Sequence, residues 1–138
     1  MLNAAYHLEL QPPTLEEYLK LREISGLSPR TAEQGGPALE NSWAWVTVRH
    51  QETRQAVGMG RVLGDGGWYF MIADIATDPE HQRKGIGSAV MESLLTEIKQ
   101  KSPANPYVTL MADAPGVPLY RKFGFVETAP HSIGMRLD

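Results

Sequence analysis

The sequence has 138 residues, of which 42% are hydrophobic, and this length and composition suit one compact domain with its own core. The net charge is −3, and no apolar run reaches the roughly 18 residues that a membrane-spanning helix needs. The chain has no cysteine, which excludes disulfides, cysteine-zinc sites and a cysteine nucleophile.

Charge and histidine patterns argue against nucleic-acid and metal binding. The basic residues cluster only at 81–84 and 120–122, and no continuous basic stripe joins the two clusters. Residues 1–7 lack the basic region and apolar core of a secretory signal, so a cytoplasmic protein is expected. No two histidines stand at the spacing of metal ligands, so no metal site is predicted. They are His7, His50, His81 and His131.

The first third of the chain predicts a strand and a capped helix. A short strand is expected at residues 8–10. Thr14 and Glu17 have capping-box spacing, which predicts a helix from there to about Ser25. One or two short helices and a mobile loop are expected over residues 26–42, because glycine and proline interrupt this stretch. These interrupting residues are Gly26, Pro29, Gly35, Gly36 and Pro37.

Three strands are expected next, at residues 43–48, 56–63 and 68–77. The second and third are joined by the sequence Gly-Asp-Gly-Gly at residues 64–67. Asp-Gly supplies the positive φ angles of tight turns, so these two strands are predicted to form a hairpin.

The last third predicts two helices and two extended segments. Apolar residues at four-residue spacing indicate an amphipathic helix that starts near Ile86 and ends before Pro103. An extended segment follows at 107–111, and a short helix begins at Pro118 and ends by Gly124. A final strand is predicted where apolar and other residues alternate. Its apolar residues are Ile133, Met135 and Leu137.

Strands and helices therefore alternate without a repeat or a linker. The predicted class is α/β (α+β): a single domain over residues 1–138, with a mixed, mostly antiparallel sheet flanked by helices.

An anion site is predicted at Gln82-Arg83-Lys84-Gly85-Ile86-Gly87, which follows a strand and opens a helix. Unpaired N–H groups and the helix dipole attract negative charge at a helix start. Gly85 and Gly87 carry no Cβ, so a phosphate can approach the backbone, and Arg83 and Lys84 add positive charge. The spacing fits neither a P-loop nor a dinucleotide-binding turn.

This hexapeptide resembles the Q/R-x-x-G-x-G/A acyl-CoA signature of the GNAT acetyltransferase superfamily. Residues 71–81 are similar to the family's fourth strand and the turn after it. Residues 118–125 are similar to its late tyrosine-bearing helix and the Gly-Phe that follows. The three blocks stand in the family's order and cover roughly residues 56–137. For the hexapeptide alone, a glycine-capped helix start with surface basic residues is the alternative.

The resemblance implies an N-acetyltransferase that uses acetyl-CoA as donor. Backbone groups of the hexapeptide would hold the pyrophosphate, those of the fourth strand would pair with the pantetheine arm, and Lys122 would reach the adenosine phosphates. The implied donor-binding residues are Ile75, Ala76, Thr77, Gln82, Arg83, Lys84, Gly85, Ile86, Gly87, Ser88, Tyr120 and Lys122.

Tyr120 matches the family tyrosine that protonates the leaving thiolate, and a phenol with a reference pKa near 10 keeps its proton at neutral pH. The identity of the general base is left open, because Ala73 occupies the position at which many relatives have glutamate. Asp74 is the nearest carboxylate, but in a regular strand it points away from the face of Ala73 unless a β-bulge redirects it. A structural role for Asp74, a base at His131 and a water chain are the alternatives.

Two further features bear on the acceptor and the pantetheine. Relatives often have an asparagine between the fifth strand and the tyrosine-bearing helix. Here Asp113 lies in that stretch, and Gly116 occupies the position at the usual distance of the asparagine from Tyr120. This puts one pantetheine contact in doubt. For several other residues, a position in the acceptor pocket and ordinary packing in the core or on the surface are equally good explanations. These are His50, Arg61, Trp43, Trp45 and Trp68.

The expected acceptor is a primary amine of a small molecule. A protein amino terminus or lysine is the competing acceptor. A regulatory module that binds acyl-CoA without turnover is the alternative from another class, and the absent glutamate at Ala73 keeps it open. Relatives commonly dimerise, so a homodimer is compatible, whereas nucleic-acid and membrane partners are not expected.

Overall fold

The computed structural model describes residues 2–138 and contains one five-stranded sheet. Strands β1 to β4 pair in succession as antiparallel neighbours, and β5 lies parallel to β4 at the edge. The mixed, mostly antiparallel sheet is therefore confirmed. Its strands are β1 (Tyr6–Glu9), β2 (Ala44–His50), β3 (Ala56–Gly64), β4 (Tyr69–Thr77) and β5 (Tyr107–Leu110).

Four α-helices flank the sheet, and the first begins at the predicted capping box. The Thr14 hydroxyl accepts a hydrogen bond from the Glu17 N–H at 3.2 Å, and the Glu17 carboxylate accepts one from the Thr14 N–H at 2.9 Å. The helices are α1 (Leu15–Ile24), α2 (Ala32–Asn41), α3 (Ile86–Lys101) and α4 (Val117–Lys122).

The second helix includes three residues that were predicted to interrupt helical structure, Gly35, Gly36 and Pro37. It starts at a second capping box, which Thr31 and Gln34 form. A Cβ on Gly35 would lie 2.7 Å from a Leu15 methyl carbon, so the absence of a side chain lets α2 cross α1 closely. Tertiary packing has overridden weak helix propensity here.

The hydrophobic core lies in two layers. One layer packs α3 against the sheet, with α4 at its margin, and is built around Val46, Val62, Phe70 and Leu94. The other layer packs α1 and α2 on the opposite face, around Leu21 and other buried residues. These include Tyr18, Trp45, Met59 and Ala76.

The predicted final strand is absent from the structure, because within residues 2–138 no strand follows β5. Ile133, Met135 and Leu137 are 68%, 84% and 101% exposed. A strand needs a partner edge, and this segment pairs with none among residues 2–138.

An ion-pair cluster fixes β1, β2 and α1 together. The Arg49 guanidinium donates to Glu9 at 2.7 Å and to both oxygens of Glu17 at 2.6 and 2.9 Å. This hydrogen bonding by Arg49 lowers the pKa of Glu17 from 4.5 to about 2. Because the folded-state pKa is depressed, the stabilisation is present above pH 4.5 and is lost as the pH falls toward 2.

We therefore expect the free energy of unfolding to fall by roughly 2–3 kcal/mol between pH 7 and pH 2 through Glu17. Replacing Arg49 by methionine should remove most of that pH dependence, as measured by urea unfolding across this range. Arg30, an exposed residue whose side chain bonds the neighbouring Pro29 carbonyl, supplies the control Arg30→Met. Equal pH dependence in the two variants would contradict the assignment.

Candidate active site

The loop before α3 has the geometry of an anion cradle. Gly85 is the N-cap residue and has φ +82°, and Arg83 also has a positive φ of +62°. No side chain caps the helix. The hydrogen-bond ladder starts with the Ala89 N–H, which donates to the Gly85 carbonyl at 3.0 Å. The three N–H groups before it, from Ile86 to Ser88, therefore precede the ladder and are available to an anion.

An open strand edge leads to this loop. The pairing of β4 with β5 ends at Ile72 and Leu110, whereas β4 continues to Thr77 and stays paired with β3 on its other side. Residues 73–77 thus have no strand partner on the β5 side among the residues that the structure describes. Ile75, Ala76 and Thr77 lie on this open edge, beside which an extended ligand has room to add backbone hydrogen bonds.

The tyrosine-bearing helix lies directly against the loop. The Lys122 ammonium donates to the Ser88 hydroxyl at 3.2 Å, which joins α4 to the first turn of α3. A Cβ on Gly87 would lie 3.3 Å from a Leu119 methyl carbon, so glycine permits this close approach. The structure therefore brings the Gln82–Ser88 stretch, Tyr120 and Lys122 into one corner of the molecule.

Tyr120 is half-buried in a shaped environment. A Cβ on Gly116 would lie within 2.7–2.8 Å of the Tyr120 ring and hydroxyl, so glycine at 116 makes room for this side chain. Phe125 packs edge-on at 6.4 Å between ring centroids. Burial, and then the negative charge of Asp113, raise the pKa of Tyr120 above its ordinary value of 10. Tyr120 is therefore a protonated phenol at neutral pH.

A β-bulge does occur at Asp74. Ala73 pairs with Arg61 and Ala76 pairs with Met59, so Asp74 and one further residue oppose a single residue of β3. Asp74 itself has φ +55°. Its side chain is only 8% exposed and is directed toward α1, where it meets three donors. They are the Tyr18 hydroxyl at 2.6 Å, Arg61 Nε at 2.7 Å and the Arg22 guanidinium.

The groups around Asp74 are themselves fixed. Arg22 donates to the Ser28 carbonyl at 2.9 and 2.7 Å, and Arg61 donates to the Ser42 hydroxyl at 3.1 Å. Burial, and then the hydrogen bond to Asp74, raise the pKa of Tyr18, which therefore stays protonated. Both Asp74 oxygens are engaged by cations, an arrangement that agrees with the structural alternative to the base.

Sequence reasoning did not identify Tyr18 or Arg22 as site residues. Their i, i+4 spacing places both side chains on the buried side of α1. This spacing was the only local feature of the sequence that could have pointed to them. Their partner lies 56 and 52 residues away along the chain, respectively, and only the fold brings it near.

The remaining candidates separate into different regions. Trp45 lies beside the Asp74 cluster, with its ring centroid 6.0 Å from the Arg61 guanidinium. Trp43 packs on the core, Trp68 lies on the surface, and His50 contacts Tyr6 and His81. His131 is exposed and is not among the residues that line the groove around Tyr120.

A family assignment follows from sequence comparison. Residues 39–134 match the model of the acetyltransferase (GNAT) domain, a span that contains the loop, the open edge and Tyr120. The chain belongs to this acetyltransferase family. The match covers β2 to β5 together with α3 and α4, and it confirms the superfamily that the sequence resemblance indicated.

Solved structures and curated relatives agree with the assignment. A Staphylococcus aureus protein of unknown function, described as a probable acetyltransferase, superposes with a TM-score of 0.89 at 41% identity, covering 96% of this chain and 98% of that one. GCN5-related N-acetyltransferase 1, chloroplastic, of Arabidopsis thaliana is 34% identical over 71% of this chain and 49% of its own length. Serotonin N-acetyltransferase 2, chloroplastic, of rice is 35% identical over 72% of this chain and 50% of its own length.

This chain of the GNAT family spans about half the length, or less, of the first curated relatives that it matches. Over residues 2–138 no cluster of three or more metal-ligating side chains is present. No helix in the described part of the chain is long and apolar enough to cross a membrane.

Proposed function

We propose that this GNAT protein transfers an acetyl group from acetyl-CoA to a primary amine, with Tyr120 as the general acid. One observation carries the proposal: α4 is joined to the start of α3, by Lys122 to Ser88 at 3.2 Å and by Leu119 against Gly87. A proton donor, an anion-binding loop and an open strand edge therefore share one corner, and positioning of this kind supplies much of the rate enhancement in group transfer.

The loop residues fit the donor. The N–H groups of residues 86–88 and the positive φ of Gly85 suit a pyrophosphate, whose negative charge Arg83, Lys84 and Lys122 would balance. The open edge at residues 75–77 suits the extended, amide-bearing pantetheine arm. When bound, acetyl-CoA supplies the acetyl group already activated as a thioester.

Tyr120 then supplies the proton that the departing sulfur needs. The raised pKa keeps its phenol protonated across the neutral range, and its ring is held in place by Gly116 and Phe125.

The amine must also lose a proton, and we infer that water accepts it rather than Asp74 or His131. To act as base, Asp74 would have to give up an ion pair with Arg22 or Arg61. His131 is exposed and lies outside the Tyr120 groove. Asp74 instead serves as a positioning residue that holds Tyr18 and Arg61 on the α1 side of the sheet.

The His131 alternative has a direct test. We expect His131→Gln to leave both kcat and the pH dependence of kcat/KM unchanged within about twofold, because the side chain is solvated and does not touch the groove. A steady-state pH profile measures this. Loss of the acidic limb of the kcat/KM profile in the variant would identify His131 as the base.

The proposed acceptor is a small-molecule amine. Supporting this, α1 and α2 pack closely at Gly35 and cover the face of the sheet that bears Trp45 and Asp74, which favours a compact acceptor over an extended chain. The rice relative is named as a serotonin N-acetyltransferase, whereas a soybean relative is named as a histone acetyltransferase. Peptide acceptors are therefore the competing class.

The experiment is a thiol-release assay with acetyl-CoA and a panel of acceptors. The panel holds arylalkylamines, aliphatic diamines, a peptide with a free amino terminus and a lysine peptide. We expect at least tenfold higher kcat/KM for one of the small amines. A peptide that exceeds every small amine would reverse the acceptor class, and acetyl-CoA binding without turnover on any acceptor would indicate the regulatory module.

A further inference from the structure

The donor loop, which we define as residues 82–85, has a backbone that is costly to hold in place. Arg83 and Gly85 have positive φ angles of +62° and +82°. The left-handed conformation is disfavoured at a residue that carries a side chain, so the surrounding structure must hold Arg83 there. The side chains of Gln82, Arg83 and Lys84 are exposed. The loop therefore depends on anchors in the residues that flank it.

His81, directly before the loop, attaches it to the body of the protein. This half-buried residue ends the short helical turn Pro79–His81, and its N–H donates to the Asp78 carbonyl at 2.8 Å. A hydrogen bond of 2.8 Å joins its Nδ1 to the Tyr6 hydroxyl, 75 positions away along the chain. Tyr6 lies in β1, the edge strand of the sheet, so this bond ties the start of the loop to the first strand.

Tyr6 is itself held firmly. Its side chain is buried in the core layer that also contains Ile86, the first residue of α3. In the pairing of β1 with β2, Tyr6 lies opposite His50. The rings of Tyr6, His50 and His81 are 5.4–5.6 Å apart between centroids. Three rings from three separate elements thus form one cluster at the start of the donor loop.

We propose that Tyr6 and His81 are positioning residues of the donor loop, whose hydrogen bond holds residues 82–85 in the conformation that binds acetyl-CoA. This inference rests on the proposed function, in which the loop is the pyrophosphate site. The bond restricts the loop before the donor arrives, so less conformational freedom is lost on binding, and such pre-organisation raises affinity. Its loss should weaken donor binding and leave the chemical step unchanged.

The first test is calorimetric titration of acetyl-CoA into Tyr6→Phe, which removes the phenol hydroxyl and keeps the ring. Loss of one hydrogen bond of ordinary strength should raise the Kd roughly three- to tenfold. The KM for acetyl-CoA should rise by the same factor, with kcat unchanged within about twofold. The control Tyr69→Phe removes a hydroxyl from an exposed tyrosine of β4 and should bind as the wild type does. Equal Kd values in the two variants would overturn the proposal.

A double-variant cycle assigns the effect to the bond between Tyr6 and His81. His81→Leu removes the partner of the phenol and should weaken donor binding at least as much as Tyr6→Phe does. Adding Tyr6→Phe to His81→Leu should then change the Kd by less than about twofold, because the bond is already lost. Additive effects in the double variant would contradict the assignment. His81→Asn keeps a hydrogen-bonding side chain and should recover part of the affinity.

Limited digestion by trypsin without any ligand reports on the loop itself. The loop offers cleavage after Arg83 and Lys84, and the exposed Arg30, between α1 and α2, is a reference site. We expect Tyr6→Phe to be cleaved several-fold faster than the wild type at the loop and at an unchanged rate at Arg30. Equal acceleration at all three sites would indicate a general loss of stability and would overturn the positioning role, as would no acceleration at the loop.

The two readouts separate this inference from the proposed function. If the wild type does not bind acetyl-CoA but Tyr6→Phe speeds cleavage in the loop alone, the donor assignment fails and the anchoring of the loop by Tyr6 is supported. If the wild type binds acetyl-CoA and Tyr6→Phe binds it equally well, the donor site stands and the positioning role is excluded.

Discussion

Replacing Tyr120 by phenylalanine is expected to lower kcat by roughly 10²- to 10⁴-fold and to leave the affinity for acetyl-CoA unchanged. The substitution removes only the phenol hydroxyl. The ring contacts with Gly116 and Phe125 remain, so the fold and the donor site should be preserved. Steady-state thiol release and calorimetric titration with acetyl-CoA measure the two quantities. The matched control is Tyr69→Phe, which removes a hydroxyl from an exposed tyrosine of β4.

The pH dependence gives a second readout of the same role. Because burial raises the pKa of Tyr120, the acid is present throughout the neutral range, and its loss should appear as a fall in rate only above pH 10. Turnover in Tyr120→Phe equal to that of the control, at saturating acetyl-CoA, would exclude the acid role.

Replacing Asp74 by asparagine is expected to cost about 3 kcal/mol or more of folding free energy. Asparagine keeps the shape of the side chain and tolerates a positive φ, so the change removes the charge and replaces one acceptor oxygen by a donor NH2 group. Two buried guanidinium groups, of Arg22 and Arg61, then lose their counter-ion, and unpaired buried charges are strongly destabilising. Urea unfolding at pH 7 measures the loss.

The control for this prediction is Asp138→Asn, which breaks the exposed ion pair with Arg136. Both partners of that pair are more than 85% exposed, and the change should cost less than about 0.5 kcal/mol. A loss at Asp74 below about 1 kcal/mol would show that the cluster does not carry the stability assigned to it. Any activity that remains in folded Asp74→Asn should keep the wild-type pH profile, because a positioning residue does not titrate in the reaction.

Much of the fold could be predicted from local pattern. The capping box at Thr14, the hairpin around Asp65 and the four-residue repeat of α3 each act within a few residues, so the sequence carries them directly. α2 could not be predicted in full, because Gly35 and Pro37 disfavour a helix locally and are accepted only where α1 packs against it. The prediction of a final strand was wrong, because the alternation of apolar and other residues specifies which face of a strand is buried. It does not specify the strand edge with which the segment will pair.

The candidate site shows the same difference between features that nearby residues determine and features that distant residues determine. The sequence predicts an anion cradle from Gln82 to Ser88 because such a cradle needs glycine at a fixed offset from a helix start, which is a short-range demand. The bulge at Asp74 was raised as a way to redirect the side chain, and it occurs. Its partners Tyr18 and Arg22 come from a distant helix, so no local pattern distinguished a base from a structural carboxylate.

The most direct test of the account is thermal unfolding with and without acetyl-CoA. At a hundredfold excess over Kd we expect the ligand to add roughly 2.7 kcal/mol to the apparent stability. Gly85→Val should abolish most of this shift, because it puts a branched side chain at φ +82° in the cradle. Gly26→Val, at φ +92° and far from the loop, carries similar backbone strain and should keep the shift. No shift in the wild type at millimolar acetyl-CoA, or an equal shift in Gly85→Val and Gly26→Val, would contradict the donor site on which the proposed activity depends.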